Sequence, residues 1–260
     1  MSQLPPPVRR AQPPQETAVT DHSTIGFRPA NKASRKARIS IQGVSGSGKT
    51  KTGLSIAWGL AEGERFGVID TERGASSLYA GDNGIQFDVL QMDRYDPRDL
   101  IKALEAAAKV GYPVIGVDSL SHYWKGADGT LDQVEKAKSK YGGNSFAGWK
   151  DGTPLQNDMV EALLTYPGHV VATMRSQTEW VLQPKRSGSG TEPVMVGMRA
   201  EQRKGIEYEF DIAAEMNIEN RMRFLKSRCP ALHQQVLERP DGARDIAKPV
   251  LDWLRSNPAQ

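Results

Sequence analysis

Nine residues carry the densest chemical information in this 260-residue chain: Gly43-Val44-Ser45-Gly46-Ser47-Gly48-Lys49-Thr50-Lys51. The first eight have the spacing G-x-x-x-x-G-K-T. Glycines at 43, 46 and 48 let successive backbone N–H groups converge on one anion without side-chain obstruction. Lys49 would set a point charge at the β- and γ-phosphates of a nucleotide, and the Thr50 hydroxyl would face a divalent cation. A helix starting here adds the positive end of its dipole. Residues 43–51 are therefore expected to bind ATP with Mg²⁺. The motif needs a strand before it and a helix after it. Arg38 to Gln42 reads as the strand, and Lys51 to Glu62 as the helix, with Leu54, Ile56, Ala57 and Leu60 available for burial.

A metal held this way needs a second anchor at the tip of a neighbouring buried strand. Asp118, after Pro113-Val114-Ile115-Gly116-Val117, is in that position. The next residue is Ser119 rather than Glu, so an acid that polarises the attacking water must come from elsewhere. Glu72, in Asp70-Thr71-Glu72 at the end of the strand Phe66 to Asp70, is the candidate. Asp70 is the alternative, with Glu72 supporting it.

The elements that must position these groups alternate between short β-type runs and helices. Strands are expected at 87–90, 114–118 and 169–173, and a helix at 97–109 with Asp96 as its cap. Later strands fall at 210–216 and 221–226, and 246–255 reads as a closing helix. The alternation predicts an α/β fold: a mainly parallel central sheet flanked by helices, with antiparallel hairpin structure toward the C-terminus.

The strand ends Val68-Ile69-Asp70-Thr71-Glu72 and Val117-Asp118-Ser119, with the glycine-rich loop, resemble the RecA-like branch of P-loop ATPases. The segments 144–149, 169–175 and 207–211 resemble phage-encoded members that consist of the RecA core alone, associated with single-strand annealing and recombination. The resemblance runs from about Ala37 to Cys229. It implies a catalytic Glu at position 72 and a γ-phosphate sensor among Thr173, Arg175 and Gln177. Phe224-Leu225-Lys226-Ser227-Arg228 is similar to the Lys-x-Arg pair of ring-forming relatives. Strand alternation would put Lys226 and Arg228 on one face, where they could reach the γ-phosphate of a neighbouring subunit. That implies a homo-oligomer, ring or filament, with ATP at subunit interfaces.

Two long segments could hold a polymer. Residues 125–153 contain Lys136, Lys138 and Lys140, with a helix expected at 131–140. Residues 180–206 read as a hairpin carrying Lys185, Arg186, Arg199, Arg203 and Lys204 beside Trp180. Cations along a backbone and an aromatic stacking surface suit single-stranded DNA. Trp149, after Phe146, reads as a packing residue instead.

Composition bounds the remaining classes. With 38% hydrophobic and 25% charged residues, the chain can bury one core. Residues 1–36 carry six cations against Glu16 and Asp21, which leaves the rest of the chain slightly acidic within an overall +3. They read as a disordered basic, Pro-rich tail, and 37–260 as one ATPase domain. The lone Cys229 excludes an internal disulfide framework, and no apolar run reaches bilayer-spanning length. A cytoplasmic protein without membrane contact is expected. The favoured function is a DNA-stimulated ATPase acting on single-stranded DNA in recombination, annealing or repair. A translocase or helicase of the same fold, a P-loop small-molecule kinase and a switch that scarcely hydrolyses ATP are the alternatives.

Overall fold

The computed structural model of the protein describes residues 31–184 and 190–256. The strands are β1 (Arg38–Gly43), β2 (Phe66–Asp70), β3 (Phe87–Gln91), β4 (Val114–Asp118), β5 (His169–Pro184), β6 (Thr191–Ala200), β7 (Ile212–Met216), β8 (Arg221–Ser227) and β9 (Val236–Glu238). The helices are α1 (Lys49–Leu60), α2 (Pro97–Val110), the single turn α3 (His122–Lys125), α4 (Thr130–Lys138), α5 (Ser145–Thr165) and α6 (Lys248–Arg255). The sheet order is β3-β2-β4-β5-β1-β7-β8-β9, with β6 paired to β5 outside that row. From β3 to β7 the pairings are parallel, and β8 and β9 add antiparallel edges.

The near-continuous apolar runs of β1, β2 and β4 are buried throughout, as a sheet covered on both faces requires. Leu54, Ile56 and Leu60 of α1 pack with Val250 and Leu254 of α6 on one face. Leu100 and Leu104 of α2 pack with Met159 and Leu163 of α5 on the other. The expected α/β fold, a mainly parallel sheet flanked by helices, is the observed one. Asp96 caps α2 as expected, its side chain accepting from the Arg98 N–H. Among the described residues, no helix is long and apolar enough to cross a membrane.

Three local features add to the expectations. The helix expected at 131–140 forms as α4, and α5 begins within the same segment. Its lysines are neutralised there, Lys136 by Asp128 (2.6 Å) and Asp132 (2.9 Å), Lys138 by Glu135 and Lys140 by Asp151 (3.0 Å). The strand at 169–173 continues to Pro184. Its first half pairs with β1 and β4, and from Ser176 onward it pairs with β6 as a two-stranded ribbon. In β8, Ala213 faces Lys226 and Ala214 faces Phe224, so Leu225 is an extra residue in a bulge. Arg228 follows the last residue of β8, and its N–H continues the pairing by donating to the Asp211 carbonyl (3.0 Å). Residues 1–30 of the expected tail, with Lys185 and Arg186, lie outside the described residues.

The edge at which β1 begins holds a titratable anchor. His169, buried at the start of β5, accepts the Ala37 N–H at Nδ1 (2.9 Å). Burial, reinforced by Lys36 and Arg38, pushes its pKa down to about 4. Between about pH 6.5 and 4 the unfolded chain therefore binds more protons at this residue than the folded one. Its stabilisation is complete above the unfolded value and is lost as pH falls through that window, by about 3 kcal/mol at most. Urea melts should show this loss, and His169→Asn, whose carbonyl can take the same N–H, should flatten it.

Candidate nucleotide site

Parallel strands deliver their C-terminal ends to one edge of the sheet, and ligands of open α/β sheets bind there. Four expected site segments meet at that edge: residues 43–51 after β1, Asp70–Glu72 after β2, Asp118 at the end of β4, and Thr173–Gln177 within β5. Because β5 lies between β1 and β4, Thr173 stands between the glycine-rich loop and Asp118.

The loop from Gly43 to Gly48 is a cradle that resists added side chains by backbone conformation at two positions and by close packing at a third. Gly46 and Gly48 adopt φ of 78° and 82°, where a Cβ is strained. A Cβ on Gly43 would lie 2.6 Å from Ser47 Oγ and 2.7 Å from the Met216 carbonyl oxygen. Gly48 starts α1 without a side-chain cap, so the first N–H groups of the helix remain available to an anion. Lys49 Nζ reaches back to the Val44 carbonyl at 3.5 Å, over the place the cradle encloses. Asn220, in the β7–β8 turn, donates from Nδ2 to the Ser47 carbonyl (2.8 Å) and braces the loop from outside.

Asp118 is buried, and Thr173 Oγ1 donates to its Oδ1. Its Oδ2 has no hydrogen-bond partner. Burial pushes the carboxyl up from the usual aspartate range, against the pull of the Thr173 and Thr50 hydroxyls and, more weakly, Lys49. An unpartnered buried carboxylate oxygen beside Thr50 and Lys49 is what a cation carried by a phosphate would complete, so these residues fit Mg²⁺. Among the described residues there is no cluster of three or more His, Cys, Asp or Glu that would hold a metal alone. The nucleotide's phosphates would supply the other ligands, as is usual for Mg²⁺.

Asp70 organises the adjoining loop and is not free to act as a base. Its Oδ1 accepts the N–H groups of Glu72 (2.7 Å) and Gly74 (3.1 Å), and its Oδ2 accepts the N–H (3.0 Å) and hydroxyl of Ser76. The loop wraps around this buried carboxylate and presents Glu72. Glu72 is in turn clasped by Arg175, Nε to Oε1 at 3.1 Å and Nη2 to Oε2 at 2.7 Å. Burial works to raise the Glu72 carboxyl, but the Arg175 guanidinium prevails and holds it below the usual range.

The sequence reading missed four residues around this pair. Thr71 Oγ1 accepts the Ser119 N–H (2.8 Å) and lies 2.7 Å from His122 Nδ1. His122 stacks on Tyr95 with ring centroids 4.8 Å apart, and burial lowers its pKa against the charge of Glu72. Ser121 Oγ accepts the Arg175 N–H at 2.9 Å. The polar run Ser119-Leu120-Ser121-His122 after Asp118 was the available signal. Asn220 offered none, because only the sheet order brings its turn beside the glycine-rich loop.

Both strands of the β5–β6 ribbon are rooted here. Along β5, Thr173 holds Asp118 and Arg175 holds Glu72. Just past β6, Glu201 donates its N–H to the Arg175 carbonyl (2.7 Å), and buried Gln202 donates from Nε2 to the Leu120 carbonyl (3.1 Å). Gln202 Oε1 accepts from Gln156 Nε2 (3.1 Å), itself bonded to Thr130. Of the DNA candidates, Trp180 is 60% exposed on the ribbon, and Arg199 pairs across it with Gln177. Arg203 Nη1 donates to Asn157 (2.7 Å), and Lys204 lies 4.0 Å from Glu179 at the ribbon's base. A cavity of about 840 Å³ is lined by Val44 and Ser45 of the loop, Ser176 and Met198 of the ribbon, and residues of β7, β8 and the turn between them.

Lys226 and Arg228 lie elsewhere. Because β8 runs antiparallel, it ends at the edge where β1 begins, away from residues 43–51. There Lys226 Nζ donates to the Tyr208 carbonyl (2.6 Å) and Arg228 faces Asp211 at 3.4 Å.

No curated protein sequence matches the chain. The profile of a family described as AAA domain does match, over residues 35–239, from just before β1 through β9. The match contains the glycine-rich loop, Asp118 and the whole described sheet. The chain belongs to the AAA domain family of P-loop ATPases.

Proposed function

We propose that the chain hydrolyses ATP at residues 43–51 and that the state of this site sets the grip of the β5–β6 ribbon on single-stranded DNA. Recombination, annealing or repair, as in the RecA-like proteins it resembles, is the setting. The observation that carries this reading is the double root of the ribbon in the site, through Thr173 and Arg175 on one strand and Gln202 after the other.

In this reading the loop N–H groups and Lys49 hold and neutralise the β- and γ-phosphates, so that the terminal phosphorus is fixed for in-line attack. Bound Mg²⁺, held through Thr50 and Asp118, would neutralise charge developing on the phosphate oxygens. Glu72 accepts the proton of the attacking water; the bond to the bridging oxygen breaks, and ADP and inorganic phosphate leave. Arg175 bonds both oxygens of Glu72 and fixes where the carboxylate points, so a shift of β5 at the ribbon's root connects polymer binding to chemistry. Arg175→Ala is accordingly expected to raise DNA-independent turnover about 2–5-fold, the scale of one partly exposed ion pair, and to blunt stimulation. A fall in turnover as deep as that of a Glu72 variant would instead make Arg175 part of the machinery.

On the ribbon, Trp180 offers a stacking face and Arg199 a backbone contact, and Arg203 and Lys204 beyond its end offer two more. Oligothymidylate should stimulate phosphate release, and Trp180→Ala should weaken its binding roughly 5- to 150-fold. Unaltered binding by that variant would remove the ribbon from the account. Self-assembly belongs to the same reading: from the far edge of the sheet, Lys226 and Arg228 can meet only a nucleotide held by another copy. A fully active monomer would eliminate that part.

A further inference from the structure

At the edge of the sheet opposite the nucleotide site, a cavity of about 590 Å³ opens between residues 32–38, the α5–β5 connection, Asp211, Arg228 and α6. Its lining carries five cations, Lys32, Arg35, Lys36, Arg38 and Arg228, against two carboxylates, Glu209 and Asp211. Asp211 is already engaged by the Arg38 N–H (3.1 Å) and by Arg228 (3.4 Å). Arg35 and Lys36 are exposed and take no part in an ion pair among the described residues.

The floor removes the usual obstacle to an anion at a helix C-terminus, its outward carbonyls. Arg38 is buried beneath the opening and spends its guanidinium on them: Leu164 (2.8 Å), Tyr166 (2.5 Å) and Gly168 (2.8 Å). The negative end of α5 is thereby cancelled, while Arg35 and Lys36 remain above it. Half-buried Trp253 on α6 adds an aromatic wall. Three basic groups near this edge, Arg38, His169 and Lys226, all have depressed pKa values. Burial is the first cause in each, and neighbouring cations add to it for His169 and Lys226. By its charged residues the cavity lining is net positive, although the chain after residue 36 is slightly acidic overall.

We propose that this cavity is a second anion site, distinct from the glycine-rich loop, that takes a phosphate group through Arg35 and Lys36. Two sources share that chemistry: a small phosphorylated molecule and the backbone of a nucleic acid. The cavity is larger than one phosphate.

The test uses the full chain with Lys49→Ala, which weakens the first site as a competitor, and no nucleotide is added. Tripolyphosphate binding is followed by calorimetry and labelled oligothymidylate binding by anisotropy, each with and without Arg35→Ala/Lys36→Ala. Tripolyphosphate binding abolished by the double change assigns a small phosphorylated ligand. Oligothymidylate binding weakened tenfold or more, with a salt slope shallower by about 1–2, assigns a nucleic-acid backbone. Arg35→Lys/Lys36→Arg should keep either binding, and ATP turnover of the Ala pair with Lys49 intact should be unchanged, which excludes misfolding. If neither ligand responds to the double change, or neither binds, the proposal is overturned.

Discussion

Glu72→Gln is expected to lower ATP turnover about 10²–10⁴-fold, the usual contribution of a positioned general base, while ATP binding is kept. The substitution keeps the size of the side chain and one carbonyl oxygen, so the loop held by Asp70 should survive it. What it removes is the acceptor for the proton of the attacking water. It also removes the charge and one of the two oxygens that Arg175 clasps, so that contact is weakened at the same time. The two effects separate by comparison: Arg175→Ala should speed the DNA-independent reaction, and the double variant should be as slow as Glu72→Gln alone. Single-turnover phosphate release beside equilibrium binding of a fluorescent ATP analogue would read both quantities. Undiminished turnover in Glu72→Gln would remove the assignment and leave the water without a base among the residues described.

Lys49→Ala is expected to act on binding itself. Removing one partner of a desolvated charge pair costs about 2–5 kcal/mol, or roughly 30- to 5,000-fold in affinity for the triphosphate. The surrounding cradle should persist. Gly46 and Gly48 keep their positive φ, Asn220 still braces Ser47, and α1 stays packed through Leu54, Ile56 and Leu60. The loss should therefore appear in calorimetry with ATP and Mg²⁺, without a comparable fall in melting temperature. A similar loss for AMP, which lacks the β- and γ-phosphates that Lys49 is expected to touch, would contradict its role.

The nucleotide site was legible because its chemistry is local in sequence. Strand, glycine turn, lysine and helix follow one another within residues 38–60, and burial of Val114–Val117 announces Asp118 at a strand end. Contacts made by tertiary packing were not legible. Helix α5 contains Gly148, Gly152 and Pro154, which argue against a helix. The two glycines are there because α4 approaches closely: a Cβ on Gly152 would lie 2.2 Å from Val134 Cγ2. The bond between Arg175 and Glu72 joins residues far apart in the chain, and only the placement of β5 beside β4 brings them together. The bulge at Leu225 was not legible either, because it is set by how β8 pairs with β7.

Phosphate release from ATP by the purified chain, with and without oligothymidylate, beside the Lys49→Ala protein, tests the central claim most directly. The account predicts release that depends on Lys49 and rises with oligothymidylate. Release that persists in Lys49→Ala, or that ignores oligothymidylate at saturating ATP, would contradict it.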